Sequence, residues 1–200
     1  MSELPRILGE IKDWAEANAP DAVLNLNFPI EQRSLWKLKF ALPPSTPSEL
    51  FELLLIHDGE GEDSWQSLLP DSMQLMSGSS ILEQYLHHLK TPDELPEKMA
   101  QYVKIGHYRV LGPVHPVSLH SLRVPFAARN AEIFWMIDLI PGEGGKFGQI
   151  IQEDIEDGSW KLVADSLVDL FDRYLTELRA GAFNINEYGR ICNDAGGWPN

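Results

Sequence analysis

Two short runs of carboxylates are the residues of this sequence that could most readily recognise a ligand. The first is Asp58, Glu60, Glu62 and Asp63, with Trp65 close behind, and the second is Glu153, Asp154, Glu156 and Asp157. Neither run has the Asp-x-Asp-x-Asp-Gly order and the later glutamate of a calcium-binding loop. Solvated loops are the plain interpretation, and the hypothesis that we carry forward is that both loops contact a partner protein, with Trp65 as an aromatic anchor.

The sequence lacks the spacings that metal, nucleotide and nucleophile sites require. None of the six histidines pairs with another at i, i+4 beside a glutamate, and His87 and His88 fall on the polar side of a predicted helix. The single cysteine, Cys192, excludes an intramolecular disulfide and a zinc site with several thiolates. The glycines of 142–148 do not have the spacing of a phosphate-binding loop and predict a hairpin turn. We therefore expect no metal, no cofactor and no catalytic residue.

Asp138 interrupts an otherwise apolar stretch, 133–140, that predicts a central strand. We expect its carboxylate to accept hydrogen bonds from the turn that follows. A catalytic carboxylate with a perturbed pKa is the alternative.

Charge and composition limit the partners that we expect. The 200 residues carry 16 Lys and Arg against 30 Asp and Glu, a formal net charge of −14. Nucleic acids and anionic membrane surfaces require clustered cations, which the sequence lacks, so we expect neither as a partner. A basic protein partner would be attracted. The N-terminus has no secretory pattern and the longest aliphatic run, 53–56, is too short to cross a bilayer, so we expect a cytoplasmic protein.

Hydrophobic periodicity predicts the elements that must position these residues. Apolar residues recur with helical spacing in 4–15, 30–40, 48–58, 80–89 and 165–180. Stretches rich in β-branched and aromatic residues at 108–114, 124–128, 133–140, 148–152 and 160–164 predict strands. This order predicts an α+β fold, with a mainly antiparallel sheet meander flanked by N-terminal helices and one C-terminal helix. We expect one domain over 1–183 and an irregular tail over 184–200.

Several motifs taken together resemble Smi/Knr-type proteins of the SUKH superfamily over 5–183. They are Leu42-Pro43, His57-Asp58-Gly59, Asp138 with Pro141, and Gly148-Gln149. One difference is the pair Val124-Pro125, without the preceding tryptophan that the family usually has. The resemblance implies an α+β binding scaffold without catalytic residues. Bacterial members are associated with immunity against secreted protein toxins, and fungal relatives resemble regulators of cell-wall synthesis.

Three functional hypotheses follow from the charge and the resemblance. The first is an immunity-type protein that masks a basic toxin, such as a nuclease, with its acidic loops. The second is an intracellular scaffold or regulator of cell-wall or envelope assembly. The third, from a different class, is an enzyme that uses Asp138 and a loop histidine.

Overall fold

The first half of the chain is mainly helical. The computed structural model describes residues 3–61, 66–90, 101–118, 120–193 and 198. Its helices there are α1 (Leu4–Asn18), α2 (Pro20–Leu24), α3 (Gln32–Ala41), α4 (Ser48–Ile56) and α5 (Gly78–Lys90). A 3-10 turn (Pro70–Ser72) and the short strand β1 (Gln74–Leu75) precede α5, and residues 101–104 are also helical. No helix within these described residues is long and apolar enough to span a membrane.

The second half forms the sheet and the last helix. Its elements are β2 (Arg109–Leu111), β3 (Arg123–Arg129), β4 (Ile133–Asp138), β5 (Gln149–Asp154), β6 (Ser159–Ala164), α6 (Leu167–Arg179), β7 (Phe183–Ile185) and β8 (Ile191–Asn193). Six strands pair in the order β1-β3-β4-β5-β6-β2. All neighbours in that sheet are antiparallel except β2 and β6, which are parallel. The predicted α+β class with a mainly antiparallel sheet is confirmed.

Strand β4 lies inside the sheet and is apolar on both faces. Trp135 and Ile137 belong to the core between the sheet and the helices, whereas Phe134 and Met136 belong to a smaller cluster on the other face. A strand covered on both sides needs no polar face, so its sequence is continuously apolar from Ile133 to Ile137.

Helix α6 closes the larger core with one apolar stripe. The stripe is Leu167, Leu170, Phe171, Tyr174, Leu175 and Leu178, all of which are buried. The helix begins after Ser166, whose hydroxyl accepts a hydrogen bond from the Asp169 N–H at 3.1 Å. It packs against α1, α4, β5 and β6, so the N-terminal helices and the sheet share this core.

The end of the chain is more ordered than the sequence suggests. Strands β7 and β8 form an antiparallel hairpin, and Trp198 is buried. The Trp198 ring lies 5.1 Å from the Tyr174 ring and 5.6 Å from the Trp135 ring, measured between centroids, and its Nε1–H donates to Glu177 at 2.7 Å. The prediction of an irregular tail is therefore wrong for these residues, because the aromatic side chain completes the core.

Candidate functional site

The first acidic run does not form an exposed acidic patch at Asp58 and Glu60. The Asp58 Oδ1 accepts a hydrogen bond from the Gly78 N–H at 2.6 Å, which caps the start of α5. Glu60 is only 5% exposed, and its Oε1 accepts a hydrogen bond from the Leu68 N–H at 2.9 Å. The prediction that Glu60 contacts a partner is wrong, because its carboxyl group is inside the protein. Glu62, Asp63 and Trp65 lie outside the described residues.

Burial changes the acidity of Glu60. Loss of hydration raises the pKa of its carboxyl group from 4.5 to about 8, against the lowering effect of the hydrogen bond from Leu68. The buried Tyr174 hydroxyl lies close by and donates to the Leu68 carbonyl at 2.8 Å. Burial, and then the neighbouring Glu60, raise the pKa of Tyr174 as well. Glu60 is therefore a protonated core residue at neutral pH.

The His57-Asp58-Gly59 motif joins three segments of the chain. The His57 Nδ1 lies 3.1 Å from the Asn27 carbonyl oxygen, and the Asn27 side-chain amide donates to the Asp58 carbonyl at 3.0 Å. Gly59 has φ +68°, and a Cβ there would lie 2.4 Å from the backbone nitrogen of Ser77. Only glycine fits this close crossing with a positive φ. The motif thus has a structural role.

Asp138 and Gln149 belong to a buried polar network. Asp138 has no exposed surface, and its Oδ2 accepts a hydrogen bond from the Gln149 amide at 3.0 Å. Its Oδ1 accepts from the Ile140 N–H at 3.2 Å and pairs with Arg123 Nε at 3.5 Å. The prediction that Asp138 accepts hydrogen bonds from the following turn is confirmed. A carboxylate so enclosed cannot touch a substrate in this conformation.

The same network anchors the segment 113–117 by hydrogen bonds to its backbone carbonyls. The buried guanidinium of Arg123 donates to the carbonyls of His115 and Val117, and Gln149 donates to the Pro113 carbonyl at 3.0 Å. A buried cation is stable only where it is paired and hydrogen-bonded, and these acceptors meet that requirement. The network therefore fixes the 113–117 segment over the smaller hydrophobic cluster.

The remaining motif residues also hold turns in place. Leu42 is buried, and its N–H donates to the Leu38 carbonyl at the end of α3. The Pro43 carbonyl accepts from both the N–H and the hydroxyl of Thr46. Pro141 forms an isolated bridge with Val114, and Gly148 donates its N–H to the Asp138 carbonyl with a φ of +80°. These contacts give the motif residues structural roles within the fold.

The second acidic run is divided between the interior and the surface. Glu153 lies in β5, is buried, and accepts a hydrogen bond from the Ser118 hydroxyl. The prediction that Glu153 contacts a partner is therefore wrong. Asp154 is half-buried and accepts from the Asp157 N–H at 2.8 Å, which shapes the turn. Glu156 and Asp157 are exposed in that turn, and Asp157 pairs with Arg109 at 3.6 Å.

Tertiary structure places further carboxylates beside this turn. The Ile155 N–H donates to the Glu132 carbonyl at 2.9 Å, so the β3–β4 and β5–β6 turns adjoin at one end of the sheet. Glu132 and Glu156 are exposed there, and Glu83 on α5 is exposed nearby. Ile155 is 44% exposed among them. We call Glu83, Glu132, Ile155, Glu156 and Asp157 the acidic end surface.

Two shallow recesses adjoin on the acidic end surface. One, of about 320 Å³, is lined by Tyr102, His107, Tyr108, Ile155, Glu156 and Gly158. The other, of about 370 Å³, is lined by Glu83, Gln84, His87, Ala131, Phe134 and Ile155. Ile155 lines both recesses and therefore lies between them. Glu83 and Glu132 belong to neither acidic run of the sequence, and only the fold brings them to this surface.

Aromatic rings line one of these recesses and stack on one another. Tyr108 stacks on the buried Trp160 at 5.0 Å and on Tyr102 at 5.9 Å between ring centroids. His88 is 1% exposed and meets the edge of Phe134 at 6.2 Å, so the prediction that His88 points to solvent is wrong. Burial, followed by the neighbouring His87, lowers the pKa of His88 to about 4.

Neither a metal centre nor a family match emerges from these residues. Among the residues that the structure describes, no group of three or more His, Cys, Asp and Glu side chains could hold a metal ion. The chain matches no protein-family model, and no curated protein shows significant sequence similarity to it. The acidic end surface is therefore the candidate site on geometry alone.

Proposed function

We propose that this protein is a non-enzymatic protein-binding module that binds a basic partner through the acidic end surface. The observation that carries the proposal is the group of exposed carboxylates Glu83, Glu132 and Glu156 around Ile155, between two recesses. Protein interfaces combine an apolar centre with a polar rim, and this surface has both. The resemblance to the SUKH superfamily supports the same class of protein.

The charges and the apolar centre would contribute differently to binding. Exposed carboxylates attract a basic partner before contact and raise the association rate constant. Ile155 would be covered on contact, and the recesses on either side would receive side chains of the partner. Loss of Ile155 would therefore raise the dissociation rate constant instead.

The partner class that we propose is a toxic enzyme with a basic surface, such as a nuclease. Such an enzyme needs Lys and Arg to bind phosphates, so an acidic protein can compete for that surface. This is the immunity-type function that the resemblance implies for bacterial members. A regulator of envelope assembly is the competing assignment, and it needs no toxic partner.

The experiment is affinity capture from the native cell, followed by binding kinetics with the captured protein. The test variant is Glu132→Gln with Glu156→Gln, and the matched control is Asp13→Asn with Glu16→Gln on the exposed side of α1. We expect the test variant to associate at least about 10-fold more slowly at low salt, whereas the control retains the wild-type rate. Equal rates for the two variants would refute the assignment of this surface.

The identity of the partner tests the immunity hypothesis separately. We expect the captured protein to be basic and to stop growth when produced alone, and co-production of this protein to restore growth. The Glu132→Gln, Glu156→Gln variant should restore growth less well. A basic partner without toxicity would contradict the immunity function and favour the regulator.

A further inference from the structure

Helix α3 presents an exposed stripe of alternating cations and aromatic rings. Arg33, Trp36, Lys37 and Phe40 are spaced i, i+3, i+4 and i+7, so they lie on one side of the helix. Trp36 is 68% exposed and Phe40 is 93% exposed. Large aromatic side chains so exposed on adjacent helical turns are typical of a contact surface. We call these four residues the α3 stripe.

The charge of α3 is opposite to that of the protein. Residues 32–41 contain three cations and no carboxylate, in a chain whose net charge is −14. Arg33 and Lys37 form no ion pair with any residue that the structure describes, whereas Arg6, Lys12 and Lys146 each pair with a carboxylate. The remaining cation, Lys39, lies 4.8 Å above the Phe51 ring. The α3 stripe therefore offers two cations to an acidic surface.

We propose that the α3 stripe of one copy binds the acidic end surface of a second copy. This inference rests on the acidic end surface of the proposed function and gives it a second occupant. Arg33 and Lys37 would face the carboxylates Glu132 and Glu156. The two aromatic rings would cover Ile155 and enter the adjoining recesses.

The exposure of the α3 stripe favours a contact between copies. Leu35 and Leu38 are the buried residues of α3, and the helix packs against α5. The α3 stripe lies on the side of the helix away from these residues, and its rings are exposed, so it points away from the chain that carries it. The two surfaces differ, so after pairing one copy keeps its acidic end surface free and the other keeps its α3 stripe free, and the association is head to tail.

The test is sedimentation velocity on two variants, each lacking one surface. The stripe variant is Trp36→Ser with Phe40→Ser, and the acid variant is Glu132→Lys with Glu156→Lys; all four positions are exposed, so both should fold. For wild type, we expect the mean mass to rise with concentration between about 5 and about 300 µM. Each variant alone should remain monomeric over that range, which corresponds to an association constant at least about 10-fold lower.

Mixing the two variants gives the decisive result. The stripe variant keeps its acidic end surface and the acid variant keeps its α3 stripe, so an equimolar mixture should form one-to-one dimers that cannot grow further. A mixture that stays monomeric would overturn the proposal. A monomeric wild type would also overturn it.

The failure of this inference and that of the proposed function are distinguishable. The stripe variant should bind the basic partner with the wild-type rate constants, because its acidic end surface is intact. An acid variant that still self-associates overturns the head-to-tail pairing, whatever its effect on the basic partner. Self-association that disappears when the basic partner is added would support a shared surface.

Discussion

Glu60→Gln replaces a buried carboxyl group with a neutral group of the same shape. The glutamine Oε1 can still accept the hydrogen bond that the Leu68 N–H donates at 2.9 Å. The variant therefore resembles the protonated form of Glu60. Its stability should differ from that of wild type only at pH values at which the carboxyl group of Glu60 would lose its proton. Comparison of the two proteins isolates the cost of a charge at this place in the core.

The sign and size of the effect follow from the raised pKa. Between pH 4.5 and about 8, the folded protein holds a proton that the unfolded chain has released, so the free energy of unfolding falls as the pH rises. One pKa unit corresponds to about 1.4 kcal/mol, so the difference between 4.5 and about 8 is on the order of 5 kcal/mol. This loss is comparable with the whole stability of many domains.

Urea unfolding followed by tryptophan fluorescence would measure this difference. At about pH 5 we expect wild type and Glu60→Gln to differ by less than about 1 kcal/mol, and at about pH 8.5 the variant should be more stable by several kcal/mol. The control, Glu16→Gln, removes an exposed carboxylate and should follow the wild-type curve. Parallel curves for wild type and Glu60→Gln would refute the burial of an uncharged Glu60.

Three further changes test other parts of the structure by the same unfolding measurement. Gly59→Ala should lower the free energy of unfolding by more than about 3 kcal/mol, because it adds a clash with Ser77 to a positive φ. Its control, Gly144→Ala, has φ +81° and open space around the added Cβ, so it should lower that free energy by only about 1 to 2 kcal/mol. Equal losses for the two variants would contradict the close approach of Gly59 to Ser77. Phe171→Ala should lower the free energy of unfolding by about 3 to 5 kcal/mol, and an unchanged urea midpoint would show that α6 is not docked. Between pH 6.5 and about 4 the unfolded chain binds a proton at His88 that the buried ring does not bind, so the wild-type free energy of unfolding should fall by roughly 2 to 3 kcal/mol. His88→Gln should remove this fall, and a fall that persists in the variant would show that another group causes the acid sensitivity.

The sequence alone was sufficient for the elements whose signal is local. The continuous apolar run of β4 and the helical stripe of α6 each appear within a few residues, because burial of one face or both imposes a short period on the chain. The hydrogen bond between Asp138 and the following turn spans two residues and was equally accessible. Such features depend on neighbours in the chain, so spacing predicts them.

Only the tertiary structure decided which acidic and aromatic residues reach solvent. Glu60 is buried where the Leu68 N–H donates to its carboxyl group and Tyr174 donates to the Leu68 carbonyl. Glu153 is buried where the Ser118 hydroxyl donates to its carboxyl group. Conversely, Trp36 has the residue type of a core but remains 68% exposed. Burial is a property of the segments that pack against a residue, and these come from remote parts of the chain. A run of carboxylates in the sequence therefore predicts a polar segment, and the fold determines which of these side chains remain exposed to solvent.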